Sequence, residues 1–256
     1  MGGLSKPHVR SILSILRRVY GRRPARCWGD AVSVLVDTIL SQNTSAANSD
    51  AGYRQLRRKF RSWNQVAEAR VGEVERCIRV SGLSNLKAPR IQSILRRIKA
   101  DRGKIDLQFL KETGDTAAYD YLRAFPGVGP KTACCTLLFA FGKALFPVDT
   151  HIHRIARRLG LVPANATAEQ TQNLLTPKIA PEDRYETHVL LIEHGRKTCR
   201  AINPRCDDCV LLRMCPFGRP RTSSIKCPAA PAPHGSRRCT SECAPSRPPP
   251  APRSPS

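Results

Sequence analysis

Residues 121–142 read YLRAFPGVGPKTACCTLLFAFG. Two apolar-periodic segments flank Gly127-Val128-Gly129, so the stretch predicts a helix, a tight glycine turn and a second helix. Glycine permits positive φ and close backbone approach, which lets the N–H groups of the turn face an anion at the start of the next helix. Pro130 suits a first helical turn, where its missing N–H costs nothing. A turn of this kind can grip a nucleic-acid backbone without reading sequence, which marks Gly127, Val128 and Gly129 as candidate contacts to DNA phosphate.

Helical period continues on both sides of this hairpin. It predicts helices over 7–20, 29–42, 46–60, 64–69, 71–79, 85–101, 107–111, 115–125, 131–142, 149–160, 167–176 and 183–198, with no strand alternation, hence an all-α fold. Thr167 and Gln170 form a capping-box pattern, and Asp149 stands where an N-cap would. In the first helix Val9, Ile12, Leu13, Leu16, Val19 and Tyr20 fall on one side. Past Cys215 the composition changes: ten of the 21 prolines lie in residues 217–256, which predicts a disordered, basic, Pro-rich tail.

The net charge of +23 points to a polyanionic partner, and +17 of it lies outside the tail. No run of 18 apolar residues and no signal-peptide pattern is present, so a cytoplasmic, nucleoid-associated protein without membrane attachment is expected. Eleven cysteines in such a chain read as thiols rather than disulfides. Cys199, Cys206, Cys209 and Cys215 follow C-x6-C-x2-C-x5-C, a spacing that lets four thiolates converge on a zinc ion or a four-iron cluster. Cys27, Cys77, Cys134 and Cys135 read as small hydrophobes; Cys227, Cys239 and Cys243 fall in the tail and receive no role. His151, His153, His188 and His194 are expected to be structural or to contact phosphate.

Lys131 opens the second helix of the hairpin, where the helix dipole opposes further positive charge, a setting suited to Schiff-base chemistry. The plainer reading of Lys131 is a cation that pairs a phosphate, and of Asp149 an ordinary cap.

FPGVGPKTA at 125–133, FPVDTHIHRIARRLG at 146–160 with Asp149 18 residues after Lys131, and EHGRKTC at 193–199 leading into the four cysteines together resemble the endonuclease III family of helix-hairpin-helix DNA glycosylases. The resemblance spans roughly residues 8–216. It implies two helical domains, a six-helix domain over 26–143 and an iron-sulfur domain from 1–25 and 144–216, with the tail over 217–256. It implies a [4Fe-4S] cluster on the four cysteines, and duplex DNA containing damaged bases or abasic sites, bound by a monomer. Lys131 would attack C1′ of a flipped-out nucleotide and Asp149 would assist as a carboxylate; β-elimination would then cut the strand on the 3′ side. Gln42 or Asn43, in ILSQNTS, and Leu83, in GLSN, would fill the space that the flipped nucleotide leaves.

Oxidised pyrimidines are the bases expected of that family. A thymine or uracil mismatch glycosylase and a non-catalytic DNA-binding module are the other readings. The adenine-removing branch is disfavoured by Lys131 and by Thr38, which stands where that branch is expected to carry a catalytic Glu.

Overall fold

A computed structural model describes residues 9–220, which belong to one compact unit. Every regular element among the described residues is helical: α1 (Val9–Tyr20), α2 (Ala31–Leu40), α3 (Ala46–Lys59), α4 (Trp63–Glu68), α5 (Val71–Ile78), α6 (Ser84–Arg102), α7 (Asp115–Arg123), α8 (Pro130–Phe141), α9 (Thr150–Arg158), α10 (Ala168–Leu175) and α11 (Arg184–Lys197). Local chemistry sets many of the ends. Asp30, Ser45, Ser62, Asp149 and Thr167 cap α2, α3, α4, α9 and α10, with full capping boxes at Ser62–Gln65 and Thr167–Gln170. Pro130 opens α8, and Gly142 closes it in the left-handed conformation.

Two hydrophobic cores share these helices. The first gathers Leu35, Ile39 and Leu40 of α2, Ile91, Leu95 and Ile98 of α6 and Ala133, Leu137 and Phe139 of α8. The second gathers Ile12, Leu13 and Leu16 of α1 with Phe146, Val148, Ile152, Ile155, Leu190, Leu191 and Leu211. The chain leaves one core and enters the other between Phe141 and Phe146, while α11 serves both, sending Tyr185 to the first and Leu190 and Leu191 to the second. Trp28, stacked on Phe139 at 4.0 Å, donates its indole N–H to Tyr185 Oη at 3.0 Å.

An ionic latch holds α1 on α11. Arg17 donates to buried Glu186 through Nε at 2.8 Å and Nη2 at 2.6 Å, Nη2 also reaches Asp183 at 2.5 Å, and the Arg23 amide donates to Glu186 at 2.8 Å. Burial pushes the Glu186 carboxyl up, but these hydrogen bonds outweigh it and hold the group below its ordinary pKa. A depressed carboxylate adds stability above its unfolded pKa, near 4.5, and that stability is lost as pH falls through the folded value. Glu186→Gln is expected to lower stability at neutral pH by about 2–3 kcal/mol, because Arg17 loses its main partner, and to flatten the acid limb of a denaturant-midpoint profile.

Four expectations need correction. Val19 is 50% exposed, past the turn at which α1 still faces the core. Cys27 is exposed on the loop before α2 rather than packed as a hydrophobe. Residues 108–111 form a 3₁₀ turn, not an α-helix, started by Asp106 accepting the Gln108 amide at 2.8 Å. Phe217 lies beneath the Arg158 guanidinium at 4.3 Å, so the ordered chain runs past the expected boundary at 217. The tail from 221 onward, with Cys227, Cys239 and Cys243, lies outside the described residues, as do residues 1–8.

Candidate active site

The glycine turn sits between α7 and α8. Gly127 is left-handed at φ +74°, and Val128 closes the turn by donating its amide to the Phe125 carbonyl at 3.2 Å. Val128 itself is buried, while Gly129 caps α8 in an extended conformation. Arg123 Nη1 donates to the Val128 carbonyl at 2.9 Å, stiffening the loop from α7. A side chain at Gly127 would be strained at φ +74° and would have to displace the Arg90 side chain, which occupies that space.

Gln42 fastens the end of α2 to this turn. Its Nε2 donates to Thr132 Oγ1 at 3.2 Å and to the Gly127 carbonyl at 3.4 Å, and its Oε1 accepts from Arg90 at 3.4 Å. Asn43, beside it, is exposed at φ +52°, and Leu83, ahead of α6, is 47% exposed at φ +50°. Among the described residues Asn203 is the only other non-glycine with positive φ. A left-handed leucine costs about 1–2 kcal/mol, and persists where its surroundings determine it. Here the determinant is Lys87. Only 2% exposed, it donates to the Leu40 carbonyl at 2.7 Å and the Ser81 carbonyl at 2.8 Å, tying both loops to one buried ammonium.

Lys131 occupies the first turn of α8, and Asp149 caps α9, accepting the Ile152 amide on Oδ1 at 2.8 Å. Their proximity shows in two groups that both of them influence. Burial pushes the Cys135 thiol, one turn below Lys131, above its ordinary pKa; Lys131 pulls it back and Asp149 pushes it further. Burial pushes His188 down to about 4, with Asp149 raising it and Lys131 lowering it. His188 is neutral at physiological pH; it packs between Phe139 and Phe146 and hydrogen-bonds the Pro147 carbonyl at 2.9 Å, bracing the segment that carries Asp149. No carboxylate is in ion-pair contact with Lys131 among the described residues. Lys131 and Asp149 thus lie within electrostatic reach of the same two buried groups without forming an ion pair.

The other histidines take separate positions. His153 bonds Thr171 at 3.0 Å, His151 bonds Arg154 at 3.0 Å, and His194, also lowered to about 4 by burial, bonds Tyr20 at 3.0 Å.

One small cavity is lined by Cys199, Cys206, Cys209 and Cys215 together. Arg158 reaches Cys199 Sγ at 3.3 Å, and His194 Nε2 lies 3.7 Å from Cys209 Sγ. Gly218 lines the same cavity, where a Cβ would press on Leu212 Cδ1 at 3.0 Å and touch Cys206 and Cys215 Sγ at ordinary contact distance. Burial, and then the other three thiols, push Cys209 up to about 11 against a bond from the Leu211 amide. Four sulfurs so placed resist ionising together, a cost that a cationic group would offset. Yet among the described residues no three metal-ligating side chains are set to hold a single ion. A tetrahedral zinc, with bonds near 2.3 Å, draws its sulfurs to within about 3.8 Å of one another.

Sequence reading missed Gln42 as a bridge to the turn, and Lys87, Arg90 and Asp37 altogether; it took Cys135 only as a small hydrophobe and His188 only as structural or phosphate-contacting. For two of them a signal existed: Asp37 is the one ionisable residue of the α2 sequence AVSVLVDTIL, and Lys87 falls in helical register with Ile91 and Leu95.

A sequence model of the HhH-GPD superfamily of base excision DNA repair proteins matches residues 36–181. Endonuclease III of Thermotoga maritima is 35% identical over 193 residues, covering 75% of this chain and 85% of that protein. A candidate DNA glycosylase of Arabidopsis thaliana is 38% identical over 162 residues, 63% of this chain, and the match spans about half of that relative, 55%. Among solved structures, a non-covalent endonuclease III–DNA complex superposes with a TM-score of 0.75 at 27% identity, covering 87% of this chain and 100% of that one. With the glycine turn leading into Lys131 on α8 and Asp149 capping α9, the chain belongs to the endonuclease III family of the HhH-GPD base excision repair proteins.

Proposed function

We propose that this protein is a bifunctional DNA glycosylase and abasic-site lyase in which Lys131 is the nucleophile and Asp149 its proton acceptor. One observation carries the assignment: Lys131 opens α8 directly after the glycine turn, while Asp149 caps α9 with one oxygen fixed by the Ile152 amide. The amine attacks C1′ of an extruded nucleotide and the base departs; the C1′–O4′ bond of the sugar ring then opens, its electron pair on O4′ taking a proton, as the C1′=N bond forms. The resulting imine makes a C2′ proton acidic, and its removal expels the 3′ phosphate. The Oδ2 oxygen of Asp149, which accepts no hydrogen bond among the described residues, is left to take the proton from the attacking amine.

The two cores correspond on this reading to two domains, over 26–143 and over 1–25 with 144–216, and damaged or abasic duplex DNA lies across their junction. The turn at Gly127–Gly129 holds the backbone, while Leu83 on one side and Asn43, braced by Gln42, on the other fill the vacated stack. A single chain supplies every group, consistent with a monomer. No described helix is long and apolar enough to cross a membrane. Oxidised pyrimidines are the expected bases.

Cys199, Cys206, Cys209 and Cys215 would hold a [4Fe-4S] cluster, each at one corner. Four sulfurs lining one cavity support a shared metal group there, and the family resemblance favours a cluster over zinc. The group would supply cohesion to the loop and leave the chemistry to Lys131.

Borohydride trapping tests the assignment on duplexes bearing an abasic site or thymine glycol. A covalent adduct on both is expected with the native protein and none with Lys131→Gln. Base release without an adduct would point to a monofunctional mismatch glycosylase, and retention of the adduct by Lys131→Gln would remove Lys131 as nucleophile.

A further inference from the structure

When the glycosidic bond breaks, its electron pair leaves on the base, and Asp149 takes a proton rather than giving one. α2 supplies the missing donor. Ser33, Asp37 and Ser41 stand at i, i+4 and i+8, partly exposed along a helix otherwise dominated by buried residues, so they form one polar stripe opening outward. α2 packs along α8, and one turn beyond Asp37 the side chain of Gln42 bonds Thr132, the neighbour of Lys131.

We propose that Asp37 is the general acid of base excision, giving its proton to the departing base while Lys131 attacks C1′. The inference rests on the glycosylase reading above. Among the described residues the Asp37 carboxyl makes neither an ion pair nor a side-chain hydrogen bond, although it is half-buried and within electrostatic reach of Lys131. An unpaired carboxyl in an apolar helix costs stability, and nothing in the packing of α2 requires one. Burial raises its pKa and the nearby Asp50 raises it further, against the pull of Lys131; the group therefore keeps its proton to higher pH than an ordinary aspartate, as a donor must. Asp149, on α9, has one oxygen fixed by the Ile152 amide. Asp37 on α2 and Asp149 on α9 would then divide acid from base, one giving a proton and the other taking one.

The step balances. The lone pair of Lys131 Nζ forms the bond to C1′, the C1′–N bond breaks with its pair passing to the base, the Asp37 proton moves to the base, and the proton released by Nζ moves to Asp149. On a preformed abasic site no base departs, so this use of Asp37 disappears.

Asp37→Asn keeps the shape and removes the proton. Single-turnover base release is measured on thymine glycol and on G·T and G·U duplexes, using whichever the native protein excises, alongside strand cleavage at a preformed abasic site. Base release is expected to fall about a hundredfold, with strand cleavage within about threefold of native. Equal losses in both assays would make Asp37 structural, and no loss in either would remove it from the reaction; each overturns the proposal. A melting curve of Asp37→Asn matching the native one excludes misfolding as the cause of any loss. A native protein inactive on every duplex would instead overturn the glycosylase reading itself.

Discussion

Asp149→Asn is expected to lower base excision by about a hundredfold or more while leaving thermal stability nearly unchanged. The two halves of this expectation have different origins. Asparagine caps a helix as well as aspartate does, so the bond from the Ile152 amide at 2.8 Å survives. What vanishes is the ability to take a proton from Lys131, and a positioned acid or base contributes about 10² to 10⁴ in rate. Asp149→Ala separates the contributions further. It should be as inactive as the asparagine variant and also lose about 1 kcal/mol of stability with the cap. Single-turnover excision beside urea unfolding measures both. An active, fully stable asparagine variant would reduce Asp149 to a cap and return the proton acceptor to solvent.

Cys209→Ala is expected to abolish binding of the proposed [4Fe-4S] cluster and to cost more than about 3 kcal/mol. The loop from Cys199 to Cys215 reaches the second core through Leu211 and Cys215, and a fully buried side chain of that kind is worth about 1.5–3 kcal/mol. The side chains of Arg154 and Arg158 grip its beginning, at the carbonyls of Cys199, Arg200 and Ala201, and the Arg158 carbonyl accepts from Cys215 Sγ at its end. Ile202 is 80% exposed, so the middle of the loop has little apolar support of its own. Iron and acid-labile sulfide should approach about four each per native chain and fall to background in the variant. About one zinc, with no iron, would replace the cluster by a tetrahedral site. Cys77→Ala, away from this loop, should retain the full metal content.

Much of this was legible beforehand because it is local. The periodic apolar residues, the Pro130 start and the capping pairs are short-range chemistry, so the helices fall close to the expected limits. The spacing of the four cysteines and the step from Lys131 to Asp149 likewise lie open in one dimension. What stayed hidden depends on which helix packs on which. Lys87 reads as an ordinary surface lysine until α2 and the Ser81 turn are seen to close over it. His188 becomes a brace for Asp149 only because α11 crosses Pro147. Asp37 was readable as an oddity in α2, but its neighbours Asp50 and Lys131 come from two other helices. Val19 was misplaced because periodicity names a face without saying how far along the helix its cover extends, and Cys27 because it lies on a loop, outside any helical period.

The shared attachment of the two probing loops has a consequence for how DNA would be inspected. Leu40 and Ser81, two residues ahead of Gln42 and Leu83, hang from the same ammonium. Neither loop can drift outward without stripping a buried carbonyl of its donor, a loss of about 1–3 kcal/mol. The two tips therefore behave as the jaws of a caliper with one pivot, fixed at a single opening before any duplex arrives. Such an instrument gauges whether a stacked pair yields to a set thickness, and weakened pairs would announce themselves by their compliance before any base is recognised by its edges.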